Sequence, residues 1–349
     1  MIKKCFGFLV VVFLSVSILG FESAVTSKEK SKKKEESKSQ SINSKEMDYY
    51  NKGRVSYLLY TPKGFREAIE NYNKALELNP NFGLPYAGLG EVYSVIGYMN
   101  LEEKEDYEEQ FNNSYLNLTK ALKLSADSKE CQRALALSYL HLRRYKQAES
   151  LAKSVIEKDP NDAESHYILW AATGRDVDSS LIKRAIELNP KLAMAHIDLG
   201  KSYFYKKRDY PKAASQFQKA VETAPDSPQT HSYLGTALRT QGYLGKALSE
   251  YQKAIDLDPN YASAYTDLGI TLLYMNKLDE SMAKLKKAIS LNPNYPDAYY
   301  YLARVLENKN NAKDAVSNYQ TFIDLAKGRE RYSDYIAGAR ESMVKLNGK

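Results

Sequence analysis

Residues 250–265 read EYQKAIDLDPNYASAY, and residues 284–299 read KLKKAISLNPNYPDAY, a near copy 34 positions on. A looser copy, NYNKALELNPNFGLPY, occupies residues 71–86. Whether a reaction centre or a packing unit is being copied decides both fold and function. The prolines answer first: Pro225, Pro259 and Pro293 are 34 residues apart, Pro160 and Pro190 extend the series upstream at a shorter interval, and Pro80 opens it. Self-similarity at a fixed period of this length points to stacked supersecondary units.

Each copied residue has a packing reason. Tyr265, Leu268 and Leu272 are spaced three and four apart and share one face of a helix. Gly235 and Gly269 remove a side chain where two helices must approach closely, and Ala247 and Ala254 are small on the partner helix for the same reason. A glycine inside a helix costs about 1 kcal/mol against alanine, so its recurrence signals close packing. Pro259 and Pro293 stop the preceding helix and set a corner into the next unit.

Together these positions resemble the tetratricopeptide repeat family: an aromatic, two residues, Leu-Gly, two residues, Tyr, then an alanine, an aromatic and a proline. Tyr86, Leu89, Gly90 and Tyr93 make one first half. His196, Leu199, Gly200 and Tyr203 make another, followed by Ala213, Phe217, Ala220 and Pro225. His231, Leu234 and Gly235 lead to Ala247, Tyr251, Ala254 and Pro259; Tyr265, Leu268 and Gly269 lead to Ser281, Leu285, Ala288 and Pro293. The resemblance implies an all-α, right-handed α-solenoid of about eight helical hairpins over residues 48–329. The expected units are 49–82, 83–128, 129–162, 163–192, 193–227, 228–261, 262–295 and 296–329, the first degenerate in its first helix. Residues 330–349 form an amphipathic helix that caps the array, since a terminal repeat otherwise exposes apolar surface.

Two units depart from the pattern. The second carries an acidic insert near residues 98–112, whose aromatic spacing of four predicts a lengthened hairpin rather than a floppy loop. The fourth is short, with Trp170 in place of a small residue, which predicts a distorted corner with Trp170 packed between helices.

The N-terminus has a different character. Lys3 and Lys4 precede an apolar run from Phe6 to Leu19, which suits a secretory h-region and is short for a membrane span. Residues 1–24 read as a signal peptide or an uncleaved N-terminal anchor, and residues 25–47 as a lysine-rich, disordered linker. The expected location is exported: periplasmic, inner-membrane-anchored or secreted in a bacterium, with membrane association through the N-terminus as one form of it. The formal net charge of +7 is concentrated here, because residues 28–45 hold seven lysines against three glutamates. The body that follows lacks the concentrated basic surface that nucleic-acid binding requires.

Chemistry-bearing residues are sparse. His166, His196 and His231 occupy the aromatic position of successive first helices and read as packing residues. Cys131 falls in an apolar helical pattern and reads as a small core residue. No pair of His or Cys shows ligand spacing, and no phosphate loop or nucleophile elbow is present. A non-enzyme without cofactor or metal is the expectation.

In the family that the array resembles, a concave face lined by first helices commonly binds extended peptides or helices of partner proteins. That resemblance implies groove contacts at Arg133, Lys201, Tyr205, Tyr233, Arg239, Tyr274, Tyr300 and Arg304. Tyrosine and arginine are favoured interface anchors. The lysine and asparagine set with which some members clamp a terminal carboxylate is not reproduced. The functional expectation is a scaffold or adaptor for a protein or peptide partner in the cell envelope. The alternative is a self-associating structural protein joined through its tyrosine-rich last units.

Overall fold

The structure, a computed structural model, describes residues 45–103 and 106–347. The signal or anchor expected over 1–24 and the linker up to residue 44 lie outside the described residues, as does Glu105 of the insert. The linker was expected to run to residue 47. Instead the first helix begins at Lys45.

Seventeen α-helices and no strand occur among the described residues. Eight consecutive hairpins account for sixteen helices. They are α1 (Lys45–Leu58) with α2 (Pro62–Leu78), α3 (Gly83–Glu103) with α4 (Glu108–Ser125), and α5 (Lys129–His141) with α6 (Tyr145–Lys158). Next come α7 (Ala163–Ala172) with α8 (Ser180–Leu188), and α9 (Ala193–Lys201) with α10 (Tyr210–Thr223). The last three are α11 (Pro228–Thr240) with α12 (Leu244–Leu257), α13 (Ala262–Tyr274) with α14 (Leu278–Leu291), and α15 (Pro296–Asn308) with α16 (Ala312–Ala326). A 3₁₀ turn at Glu330–Tyr332 leads into α17 (Ser333–Asn347), which packs on α16. This is an α-solenoid of helical hairpins with a terminal helix.

The copied residues do what their spacing requires. A Cβ added at Gly235 would lie 2.7 Å from the Tyr251 ring, and one at Gly269 would lie 2.7 Å from Leu285 Cγ. Both are distances at which something must shift. Ala213, Ala220, Ala247, Ala254 and Ala288 are fully buried on the second helices. Where serine replaces the first alanine it repays its polarity: Ser281 Oγ donates to the Gly269 carbonyl at 2.7 Å, and Ser114 Oγ to the Gly90 carbonyl at 2.8 Å.

The copied Asp-Pro-Asn and Asn-Pro-Asn triplets also have a local cause. Asp258 is extended, as the residue before proline must be, and its carboxylate accepts from the Asn260 amide at 2.9 Å. Asn79, Asp159, Asn189 and Asn292 make the same turn with the residue two places on.

The departures are accommodated by helices. Both α3 and α4 are lengthened, to 21 and 18 residues, so the acidic insert extends a hairpin as expected. The fourth hairpin is short, with helices of 10 and 9 residues. Trp170 is almost wholly buried there, and its Nε1–H donates to the Asp176 carbonyl at 2.7 Å across the corner. The fifth unit carries one residue more than the 34 of its successors, counted from Pro190 to Pro225. The chain absorbs it by continuing α9 as a π-helix over Ser202–Lys207.

Candidate protein-binding surface

The first helix of each hairpin presents residues that the packing positions leave over, and the structure divides these into three groups. The first is consumed by buried ion pairs. Arg133 is 7% exposed, and its guanidinium donates from Nη1 to Asp162 Oδ2 at 2.8 Å and from Nε to Glu91 Oε1 at 3.2 Å. Arg54 bridges Glu91 and Glu164. The network therefore ties together the first four hairpins. Arg133, expected in the groove, is instead a structural cation whose donors are already committed. Burial pushes the Glu91 carboxyl up, opposed by Arg54 and Arg133. Burial also raises the Asp162 carboxyl, but Arg133 and the Ser165 bonds outweigh it and hold it below the usual range.

A second group spans the fourth to seventh hairpins and reaches back to the second. Asp198 accepts from the Tyr167 hydroxyl at 3.0 Å and pairs with Arg175 at 3.2 Å. Lys201 Nζ contacts both oxygens of Glu102, at 2.8 and 3.0 Å, and lies over the Tyr233 ring at 4.7 Å. Burial opposes the ammonium charge, but Glu102 and Asp198 outweigh it and hold Lys201 well above the usual lysine range. Tyr233 stacks on Phe217 with centroids 5.4 Å apart and donates to Glu102 at 3.2 Å. Arg239 donates to the Tyr251 hydroxyl at 3.2 Å and to Asp267 at 3.3 Å. Lys201, Tyr233 and Arg239 are thus partnered within the array, and replacing them disturbs it.

The third group is open. Tyr205, in the π-helical segment, is 68% exposed, and Tyr274, at the end of α13, is 51% exposed. Tyr300 is half-buried between Tyr301, Tyr319, Phe322 and Tyr335, with centroids 5.1–5.8 Å apart. Arg304 makes no ion pair among the described residues and lies over the Tyr301 ring at 5.8 Å. Tyr301 is in electrostatic reach of Tyr274, Tyr335, Arg239 and Arg304, so these groups gather at one end of the array. Tyr335, contributed by the terminal helix and 43% exposed, was not foreseen.

Sequence reasoning also missed Arg54, Glu91, Glu102, Asp162, Glu164 and Asp198. A signal for two of them exists. Arg54 and Glu91 each follow the copied glycine, so opposite charges stand at one register position in adjacent units. Glu102 lies in the insert and has no counterpart to compare.

Among the described residues, no group of three or more His, Cys, Asp or Glu is placed to hold a metal ion, and no helix is long and apolar enough to cross a membrane. Cys131 is buried, and that burial pushes its thiol up to about 11.

Family models described as TPR repeat match residues 235–275 and 271–310, and models described as tetratricopeptide repeat match 65–82, 179–228 and 297–326. The chain is a tetratricopeptide repeat protein. Among solved structures, the TPR array is similar to a chain of the APC/C hetero-tetramer Cut9–Hcn1, with a TM-score of 0.65 and 17% identity over 86% of this chain and 57% of that one. It therefore spans little more than half of that relative. It is also similar to yeast Tom70 (TM-score 0.51, 18% identity, 90% of this chain and 68% of that one) and to PilW, a type IV pilus biogenesis factor (0.51, 17%, 61% and 98%). At these identities the likeness concerns the TPR fold alone. No curated protein matches the sequence.

Proposed function

We propose that this TPR protein is a non-catalytic scaffold that binds an extended segment of a partner protein. The contact surface is the inner face of its last four hairpins and its terminal helix. One observation carries this reading. Arg54, Arg133, Lys201 and Arg239 are committed to carboxylates within the array, whereas Tyr205 and Tyr274 stand exposed and Arg304 lacks an ion-pair partner among the described residues. Exposed tyrosines bring large contact area at low entropic cost, and an arginine amid tyrosines is an interface anchor. The apolar run and lysine-rich segment at the N-terminus support an exported location, in the envelope or beyond it.

The test is selection of a displayed peptide library on the immobilised full chain. Peptides enriched on the wild type are expected to bind a Tyr205→Ala/Tyr274→Ala/Arg304→Ala variant about tenfold more weakly, with the helical circular dichroism unchanged. Equal binding by the variant rules the surface out.

A further inference from the structure

Stacked hairpins touch their neighbours, and contacts between units several steps apart are exceptional in such arrays. The lengthened second hairpin makes one. Glu102, near the end of α3, receives Lys201 Nζ of the fifth hairpin, 99 residues later, at 2.8 and 3.0 Å. The Tyr233 hydroxyl of the sixth hairpin donates to it at 3.2 Å, and the Tyr98 hydroxyl, one turn earlier on α3, donates at 2.8 Å. The Lys201 ammonium also faces two aromatic rings, 4.7 Å from that of Tyr233 and 6.0 Å from that of Tyr98.

One carboxylate is thus held by an ammonium and two phenols drawn from three hairpins. A cation, two hydroxyl donors and aromatic walls are a recognition set for any carboxylate. The side chains of Lys201 and Glu102 keep 17% and 28% of their surface exposed, so solvent and a competing group have access. Tyr205, which protrudes from the next turn, lies in electrostatic reach of both and connects the site to the open surface.

We propose that Lys201, Tyr98 and Tyr233 form a carboxylate-binding site that the chain fills with its own Glu102, and that an acidic side chain of a bound peptide displaces it. The proposal rests on the reading that the inner face binds a protein segment, and it adds the chemistry of that segment. Because Glu102 is tethered, it competes at a high effective concentration, and a lone carboxylate in solution displaces it poorly. A peptide that also contacts Tyr205 overcomes this. The second hairpin then acts as a gate that admits acidic segments in preference to neutral ones.

The full chain is tested as wild type, Glu102→Gln and Glu102→Gln/Lys201→Met. Each is titrated with a labelled decapeptide of alternating glutamate and tyrosine, and with its glutamine–tyrosine counterpart. Glu102→Gln is expected to bind the acidic peptide about tenfold more tightly than wild type, as loss of one charged competitor implies. The gain vanishes in the double variant and is absent with the neutral peptide. Equal affinity of wild type and Glu102→Gln for the acidic peptide, including no binding to either, overturns the proposal. So does a gain that persists with the neutral peptide. Hydrogen exchange supplies a ligand-free check: amides of residues 97–103 are expected to exchange faster in Glu102→Gln, and unchanged exchange removes the premise that Glu102 anchors α3. The library selection above scores the inner-face reading separately, through Tyr205, Tyr274 and Arg304.

Discussion

His166, His196 and His231 stand at one register position, and each directs Nε2 at the carbonyl of the proline six residues earlier, at 2.9–3.1 Å. Tyr86 reaches its own Pro80 carbonyl through its hydroxyl at 3.3 Å. The position selects an aromatic with a donor at its tip, which is why imidazole recurs without any ligand chemistry. His141 is different. It is buried, bonded to Ser94 at 2.8 Å and stacked on Tyr98 at 4.7 Å, and burial lowers it to about 4. Its folded value lies below its unfolded one, so its contribution is present above about pH 6.5 and is lost as pH falls through the folded value. Urea unfolding should therefore show wild type losing about 2 kcal/mol between pH 7 and pH 5 that His141→Gln does not lose. Arg133→Met should cost about 3 kcal/mol in the same assay, because Asp162 and part of Glu91 are left buried and uncompensated. The histidines were legible from their spacing. The role of Arg133 was not, since a cation's partners lie on other hairpins and one sequence shows only its own register.

Seven of the eight hairpins, all but the second, turn through a left-handed residue among the described residues. Tyr60, Arg143, Arg175, Arg208, Asn276 and Asn310 have φ between 53° and 59°, and Gly242 has φ 85°. Asparagine and glycine accept this conformation readily, whereas arginine and tyrosine are held there by the helices on either side. Arg143 is exposed, so Arg143→Gly is expected to raise stability by about 0.5–1 kcal/mol, read as a higher melting temperature. Gly235→Ala should do the opposite, lowering stability by about 1–3 kcal/mol as the new methyl meets the Tyr251 ring. Helix boundaries and corners were readable because each is fixed by adjacent residues: a proline, an Asx turn, a glycine opposite a ring. The π-helical segment was readable in principle from one surplus residue in the fifth unit. The sequence does not say whether a surplus residue enters a loop or a helix; the packing on both sides of α9 decides that.

Solenoids are quasi-one-dimensional, with stability carried by units and their immediate interfaces. Here the two ends of the array differ. Arg54 of the first hairpin reaches Glu164 of the fourth, and Glu102 of the second reaches Lys201 of the fifth, so the first five hairpins are cross-linked over several units. In the last units the described packing runs from neighbour to neighbour: Tyr319, Phe322 and Ile323 of α16 are covered by Tyr332, Ile336, Ala339 and Met343 of the terminal segment. Such contrasts in local stability appear directly in hydrogen exchange. Residues 45–223 are expected to open as one cooperative block, with amides of the first five hairpins sharing a single opening free energy. The units after residue 262 are expected to open in steps from the C-terminal end. Removing residues 330–349 should then accelerate exchange in α15 and α16, and expose enough apolar surface to make the chain self-associate in sedimentation, while leaving the first block unchanged. Exchange that speeds up uniformly along the array after truncation contradicts the two-part picture, because it requires coupling that the neighbour-to-neighbour packing of the last hairpins does not supply.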